Sequence, residues 1–173
     1  HDLSFLLHPE CHEDKLRSYL EKAVPVSLAR ADVITTDSEN ARNDLICLMD
    51  AAPERVEVVY GGVDETFRPM ESEWELLSKT RQRFGINYPF ILNVGLIEPR
   101  KNLVVLVQAY ERLKSRLGFS HKLVIAGAKG WLCADVFRKV HDLHLEDDVV
   151  FTGYVPDEDL PALFNLADLF VYP

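Results

Sequence analysis

Apolar positions along this chain follow two rhythms: short continuous runs that close on glycine, and longer stretches where they recur every three or four residues. Short continuous runs suit strands buried on both faces of a parallel sheet, and the wider spacing suits helices with one buried face. The spacing predicts a helix over His12–Arg30, with Leu16, Tyr19, Leu20 and Ala23 on one face and Pro25 as a kink or break. A β-branched strand follows at Val33–Thr36, then a helix over Glu39–Met49 with Asp37 or Ser38 as its N-cap, then a strand at Val56–Tyr60 that ends at Gly61 and Gly62. The pattern dissolves over Val63–Pro69, which reads as a connection. Beyond it come a helix over Glu71–Phe84 stopped by Gly85 and a strand over Phe90–Gly95. Asn102 opens a helix that carries Leu103, Leu106, Val107, Tyr110, Leu113 and Leu117. Strand and helix then alternate: Lys122–Ala126 before Gly127, Trp131–Leu143, Val149–Thr152 before Gly153, Pro156–Ala167, and Leu169–Tyr172.

This alternation predicts an α/β protein with parallel sheets in two domains, residues 1–66 and 67–173, both incomplete. The first has too few strands for a full sheet, and the second stops in mid-sheet. At 173 residues, 47% of them hydrophobic and 27% charged, the chain is long enough to bury a core and to hold one domain or parts of two. A formal charge of −9 with no long basic patch argues against a nucleic-acid partner. No apolar run is long enough to span a bilayer, no signal-peptide pattern opens the chain, and the start on His1 suggests a fragment. Cys11, Cys47 and Cys133 are few, odd in number and far apart, which favours reduced thiols and a cytoplasmic protein.

The candidate chemistry lies where the Phe90–Gly95 strand gives way to the next helix. Glu98, Pro99, Arg100 and Lys101 fill that turn. A loop beyond the carboxyl end of a parallel strand, leading into a helix N-terminus, is an anion site in α/β proteins, and Arg100 and Lys101 stand where a phosphate would sit. The alternative for Lys101 is a solvated lysine beside a helix start. Gly95, Gly127 and Gly153 each end a predicted strand and would let a ligand approach the backbone, although plain turn glycines fit equally well. No G-x-G-x-x-G follows a strand, and G-x-x-x-x-G-K-[ST], H-E-x-x-H and G-x-S-x-G are absent, so dinucleotide oxidoreductases, P-loop ATPases, zincins and α/β-hydrolases lose weight.

Six segments, taken in order, resemble the retaining glycosyltransferases of family 4: HDLSFLLHPE, ADVITTDSENARNDL, VVYGGVDETFRP, ILNVGLIEPRKNL, KLVIAG and VVFTGYVPDEDLPALFNLADLFVYP. Members have two Rossmann-like domains facing a cleft, the GT-B arrangement, and the HDLS and EPRKN segments are most similar to bacterial and archaeal enzymes of the mannosyltransferase type. The resemblance implies transfer of a hexose, mannose, from a nucleoside diphosphate sugar, GDP-mannose, to a saccharide or lipid-linked acceptor. The donor is a substrate, and neither cofactor nor metal is implied. A lipid-linked acceptor would bring the parent protein peripherally to a membrane.

By the same resemblance Lys101 is the catalytic cation on the donor diphosphate, and His1 of the His1–Asp2 pair lies near the transferred sugar or acceptor. Gly95, Arg100, Gly127, Gly153, Tyr154 and Val155 would line the donor, the last two through backbone bonds to the base. Two departures stand out. Leu96 occupies the position of the family's second cation, for which Arg100 is a substitute. The glutamate pair that follows the last strand in the family is missing, so the fragment itself is expected to transfer no sugar. Two rivals remain open: a nucleotide-sugar epimerase of the same architecture, and a non-catalytic nucleotide-sugar-binding module, which Leu96 favours.

Overall fold

The computed structural model describes residues 2–173, and the chain folds as two units, one reaching to Asp64 and the other Glu65–Pro173. In the first, a short helix α1 (Ser4–Leu7) and a long helix α2 (Asp14–Arg30) precede a parallel pair, β1 (Ile34–Thr36) and β2 (Val56–Val58), joined through α3 (Glu39–Met49). Ser38 is the N-cap of α3, its hydroxyl accepting from the Ala41 amide at 3.2 Å. The core of this unit is Leu3, Phe5, Leu45 and Val56, with Leu20, Val24 and Leu28 of α2 packed against it. Of the kink or break expected at Pro25, the break does not occur, and α2 continues through it. Both Pro25 and Glu21, whose carbonyl loses its amide partner, are exposed, so water can take the place of the missing bond.

The second unit is a sandwich of helices about a four-stranded parallel sheet of β3 (Phe90–Val94), β4 (Lys122–Ala126), β5 (Val149–Gly153) and β6 (Leu169–Phe170), in the order β5-β4-β3-β6. Alternate residues of the central strands face opposite layers, as the pleat requires. Ile91, Leu123 and Ile125 pack with α5 (Leu103–Leu117) and α6 (Ala134–Asp142). Phe90, Leu92, Val124 and Ala126 pack with α4 (Trp74–Phe84) and α7 (Leu160–Leu166). Complete burial of Phe90 and Leu92 stabilises this layer by about 1.5–3 kcal/mol each. Here the expected α/β class with parallel sheets is the one observed.

Helix starts differ most from expectation. The helix expected from Glu71 begins at Trp74, that from Trp131 at Ala134 and that from Pro156 at Leu160, each after a turn. Polar residues before Trp74, and proline and acidic residues before Leu160, leave the first turn open to either conformation, whereas before Ala134 the left-handed Leu132, φ 50°, keeps the turn outside the helix. At the other end of the sheet β6 stops at Phe170, and only the Val171 amide continues toward Leu92, donating to its carbonyl at 2.9 Å.

Chain order and sheet order part company once. The path steps from β3 to β4 to β5 in one direction, then returns through α7 to place β6 on the far side of β3. That reversal makes a crevice at the carboxyl ends of β3 and β6, the place where open α/β sheets receive ligands.

Candidate functional site

The loop after β3 is built outward from two buried side chains. Ile97 is 1% exposed and Glu98 is 2% exposed, which turns the chain back over the sheet edge. Pro99, with its fixed φ, opens a 3-10 turn through Lys101, closed by the Lys101 amide donating to the Glu98 carbonyl at 3.1 Å. Asn102 then takes a left-handed conformation, φ 51°, which asparagine tolerates better than most residues. The sequence reading has the helix open at Asn102 itself; instead α5 starts at Leu103, with no side chain capping its first turn. An uncapped helix start beside a basic turn retains the anion-attracting character expected of it.

Lys101 sits at the crevice. Its Nζ donates to the Tyr172 hydroxyl and lies 4.9 Å from the centroid of the Tyr172 ring, joining the loop after β3 to the loop after β6. Arg100 is arranged differently. Its guanidinium is 3.0 Å from the buried carboxylate of Glu98, so the two charges offset one another and Lys101 gives the turn its net positive charge.

The three rim glycines meet through their backbones. A Cβ on Gly127 would lie 1.9 Å from the Gly95 carbonyl oxygen, and the Gly127 amide donates to the Gly153 carbonyl at 2.9 Å. Close packing of the β3 and β4 loops thus requires glycine at 127 before any ligand is considered. The Gly95 amide donates to Ala126 and the Ile97 amide to Ala128, both at 2.9 Å, extending the β3–β4 ladder past the strands. Gly153 has φ 72° with open space around it, a left-handed turn position. Beyond it Tyr154 is exposed, whereas Val155 is buried in the core between the sheet and α7.

Leu96 lies over Gly130, where a Cβ would come within 2.9 Å of the leucine Cγ. A local packing reason thus accompanies the apolar residue at this position. His1 lies outside the described residues. Asp2 belongs to the first unit, where its carboxylate accepts from the Ser4 amide at 2.9 Å.

Three residues of the crevice have no role in the sequence reading. Tyr172 carries no local signal, because its partner is 71 positions away. Glu98 reads as a loop carboxylate, yet it is buried. Asn93 is the one polar residue in the β3 run FILNV; it is 2% exposed and its Nδ2 donates to the Val171 carbonyl at 2.8 Å, pinning the start of the loop after β6. Among the described residues no group of three or more His, Cys, Asp or Glu is placed to hold a metal ion.

Known proteins to which this chain is similar include glycosyltransferases. The O-antigen chain mannosyltransferase B of Escherichia coli is 34% identical over 175 residues, covering 100% of this chain and 45% of that protein. The serotype-specific mannosyltransferase WbdA of Escherichia coli is 32% identical over 178 residues, covering 100% of this chain and 22% of that protein. In structure, Anabaena HepE in complex with UDP and glucose matches with a TM-score of 0.74 at 22% identity, over 99% of this chain and 45% of that one. WaaG, a glycosyltransferase involved in lipopolysaccharide biosynthesis, matches with a TM-score of 0.72 at 17% identity, over 100% of this chain and 48% of that one. The chain therefore spans less than half the length of each of these relatives. Its fold is that of the GT-B glycosyltransferases. Residues 78–173, which take in the whole β3–β6 crevice with Lys101, match the description Glycosyl transferases group 1, and the chain belongs to that family.

Proposed function

We propose that the parent protein transfers mannose from GDP-mannose to a saccharide or lipid-linked acceptor, with retention at the anomeric carbon. The observation that carries this reading is Lys101, the net cation of a turn at the topological switch point, beside an uncapped helix start. Departure of a nucleoside diphosphate builds negative charge on the phosphates, and a fixed ammonium at that place lowers the barrier more than it strengthens ground-state binding. Mannose as the sugar is supported by the names of the Escherichia coli relatives, and GDP as the nucleotide follows the same resemblance. In this reading Gly95, Gly153, Tyr154 and the backbone of Val155 face the donor. Gly127 acts by letting the two neighbouring loops close, and Arg100 by neutralising Glu98.

The reading also holds that the 173-residue chain alone transfers no sugar. No described helix is long and apolar enough to cross a membrane. In this reading a lipid-linked acceptor is met at the membrane surface, from the cytoplasm. A transfer assay on the full-length protein with GDP-mannose tests the proposal. Lys101→Ala should lower kcat by about a hundredfold or more, and the anomeric configuration of the product, read by NMR, should match that of the donor. An epimerised nucleotide sugar as product would replace this reading by the epimerase one. The rival binding module draws on Leu96, seated on Gly130 where the family has a cation. Full-length protein that binds GDP-mannose and turns none over would favour it.

A further inference from the structure

We propose that Tyr172 is a positioning residue, which holds the Lys101 ammonium over the crevice so that it meets the diphosphate of the bound ligand. The inference rests on the donor-site reading above and assigns to Tyr172 a role of its own.

The two side chains come from loops on either side of the switch point, and they meet at the tyrosine hydroxyl, with the ammonium beyond the edge of the ring. The ammonium donates to the Tyr172 hydroxyl while lying 4.9 Å from the centroid of its ring. An ammonium has three donors and no acceptor role, so the phenol occupies one and leaves two for phosphate oxygens. A lysine on its own is a flexible point charge, and ordering it must be set against whatever it binds. The lysine stem passes over Gly95, with its Cε 3.8 Å from where a Cβ there would lie. Glycine beneath leaves room for the stem, and the tyrosine hydroxyl beside it restricts where the ammonium sits.

Tyr172 is itself fixed from the sheet. The Val171 amide donates to Leu92 at 2.9 Å, and the Asn93 side chain donates to the Val171 carbonyl at 2.8 Å. The Tyr172 ring continues a row with Phe170, at 6.3 Å and 26° between planes, and Phe170 meets Phe164 edge-on at 5.1 Å. Buried Asn93 in β3 therefore sets the place of Tyr172, and Tyr172 sets the place of Lys101. Because Tyr172 is 55% exposed, the contact lies where a ligand can reach it.

The test has a ligand-free arm and a ligand arm. In the chain alone, NMR should show nuclear Overhauser contacts between the Lys101 ε-methylene protons and the Tyr172 ring protons beside the hydroxyl. Absence of those contacts in the wild type would overturn the proposal. In titrations with GDP and UDP, Tyr172→Ala should weaken binding roughly threefold to tenfold, and Tyr172→Phe, which keeps the ring but loses the hydroxyl that accepts from Lys101, should weaken it nearly as much. In a Lys101→Ala background, Tyr172→Ala should have no further effect. An undiminished effect there, or none in the wild type while Lys101→Ala weakens binding, overturns the positioning role and leaves the donor site standing. Binding indifferent to Lys101→Ala removes the donor-site reading and this proposal with it.

Discussion

Replacing Gly127 with alanine separates a packing role from a ligand role. The new Cβ would lie 1.9 Å from the Gly95 carbonyl oxygen and 2.7 Å from its carbon. Ordinary contact is about 3.5 Å, so the loops after β3 and β4 would have to part by roughly 1.5 Å. Both atoms met are backbone, and no side-chain rotation relieves the overlap. Opening the loops strains two bonds of 2.9 Å, Gly95 amide to Ala126 and Gly127 amide to Gly153. Overpacking costs about 1–3 kcal/mol and the two weakened bonds about 1 kcal/mol each. Together they give a loss of about 3–5 kcal/mol, a large part of the stability of a domain. Gly153→Ala is the control: its surroundings are open and only its φ of 72° is unfavourable, which predicts about 1–2 kcal/mol. Urea denaturation followed by far-UV circular dichroism, with unchanged slopes, reads both values. The reasoning is refuted if Gly127→Ala is as stable as Gly153→Ala or more so. A Gly127→Ala protein of wild-type stability that has lost nucleotide binding would return Gly127 to the ligand.

Further predictions concern the buried polar groups. Tyr110 is 1% exposed, and burial, then the nearby Asp148 charge, push its phenol from 10.0 up to about 12. The folded state therefore holds the neutral form over a window where the unfolded chain ionises. The resulting stability is complete below pH 10.0 and is lost as pH rises to about 12, a fall of roughly 2–3 kcal/mol. Tyr110→Phe should remove that part of the alkaline loss. Below the window it should cost about 1–2 kcal/mol, because the His121 carbonyl loses a donor at 2.8 Å. Denaturation on either side of the window checks both statements. Arg100→Ala leaves the Glu98 carboxylate buried without this partner and should destabilise by about 2–4 kcal/mol, more than Glu98→Gln; equal thermal shifts would contradict the pairing. In the first unit Arg55 donates to the Leu28 and Ala31 carbonyls at the end of α2. Arg55→Ala should cost roughly 2 kcal/mol there, read as faster amide exchange across the last turn of α2.

Elements with strong local pattern were legible in the sequence. The runs of β3 and β4 are apolar and close on glycine, and the observed strands follow them. Helix α5 carries its buried residues Leu103, Leu106, Val107 and Tyr110 at helical spacing, and they lie in the core as that spacing implies. What the sequence concealed was set by partners remote along the chain. Pro25 reads as a kink or break because local rules do not reveal that its face is exposed. Gly127 reads as a ligand glycine or a plain turn glycine, and only the fold reveals the Gly95 carbonyl against it. Arg100 reads as a substitute donor cation, and only the fold reveals the buried Glu98 paired with it. Of the proposed site, the turn bearing Lys101 could be read from four consecutive residues, whereas the contact with Tyr172 depends on the crossover that returns β6 to β3.

The most direct test of the central claim, that Lys101 marks the diphosphate site, is a calorimetric titration of this chain with GDP, UDP and GDP-mannose, repeated on Lys101→Ala. The account predicts that GDP and GDP-mannose bind in preference to UDP and that the substitution weakens them about tenfold or more, the worth of one charge-assisted contact. Equal affinity in the two proteins, or no binding by a chain shown by circular dichroism to be folded, would contradict it.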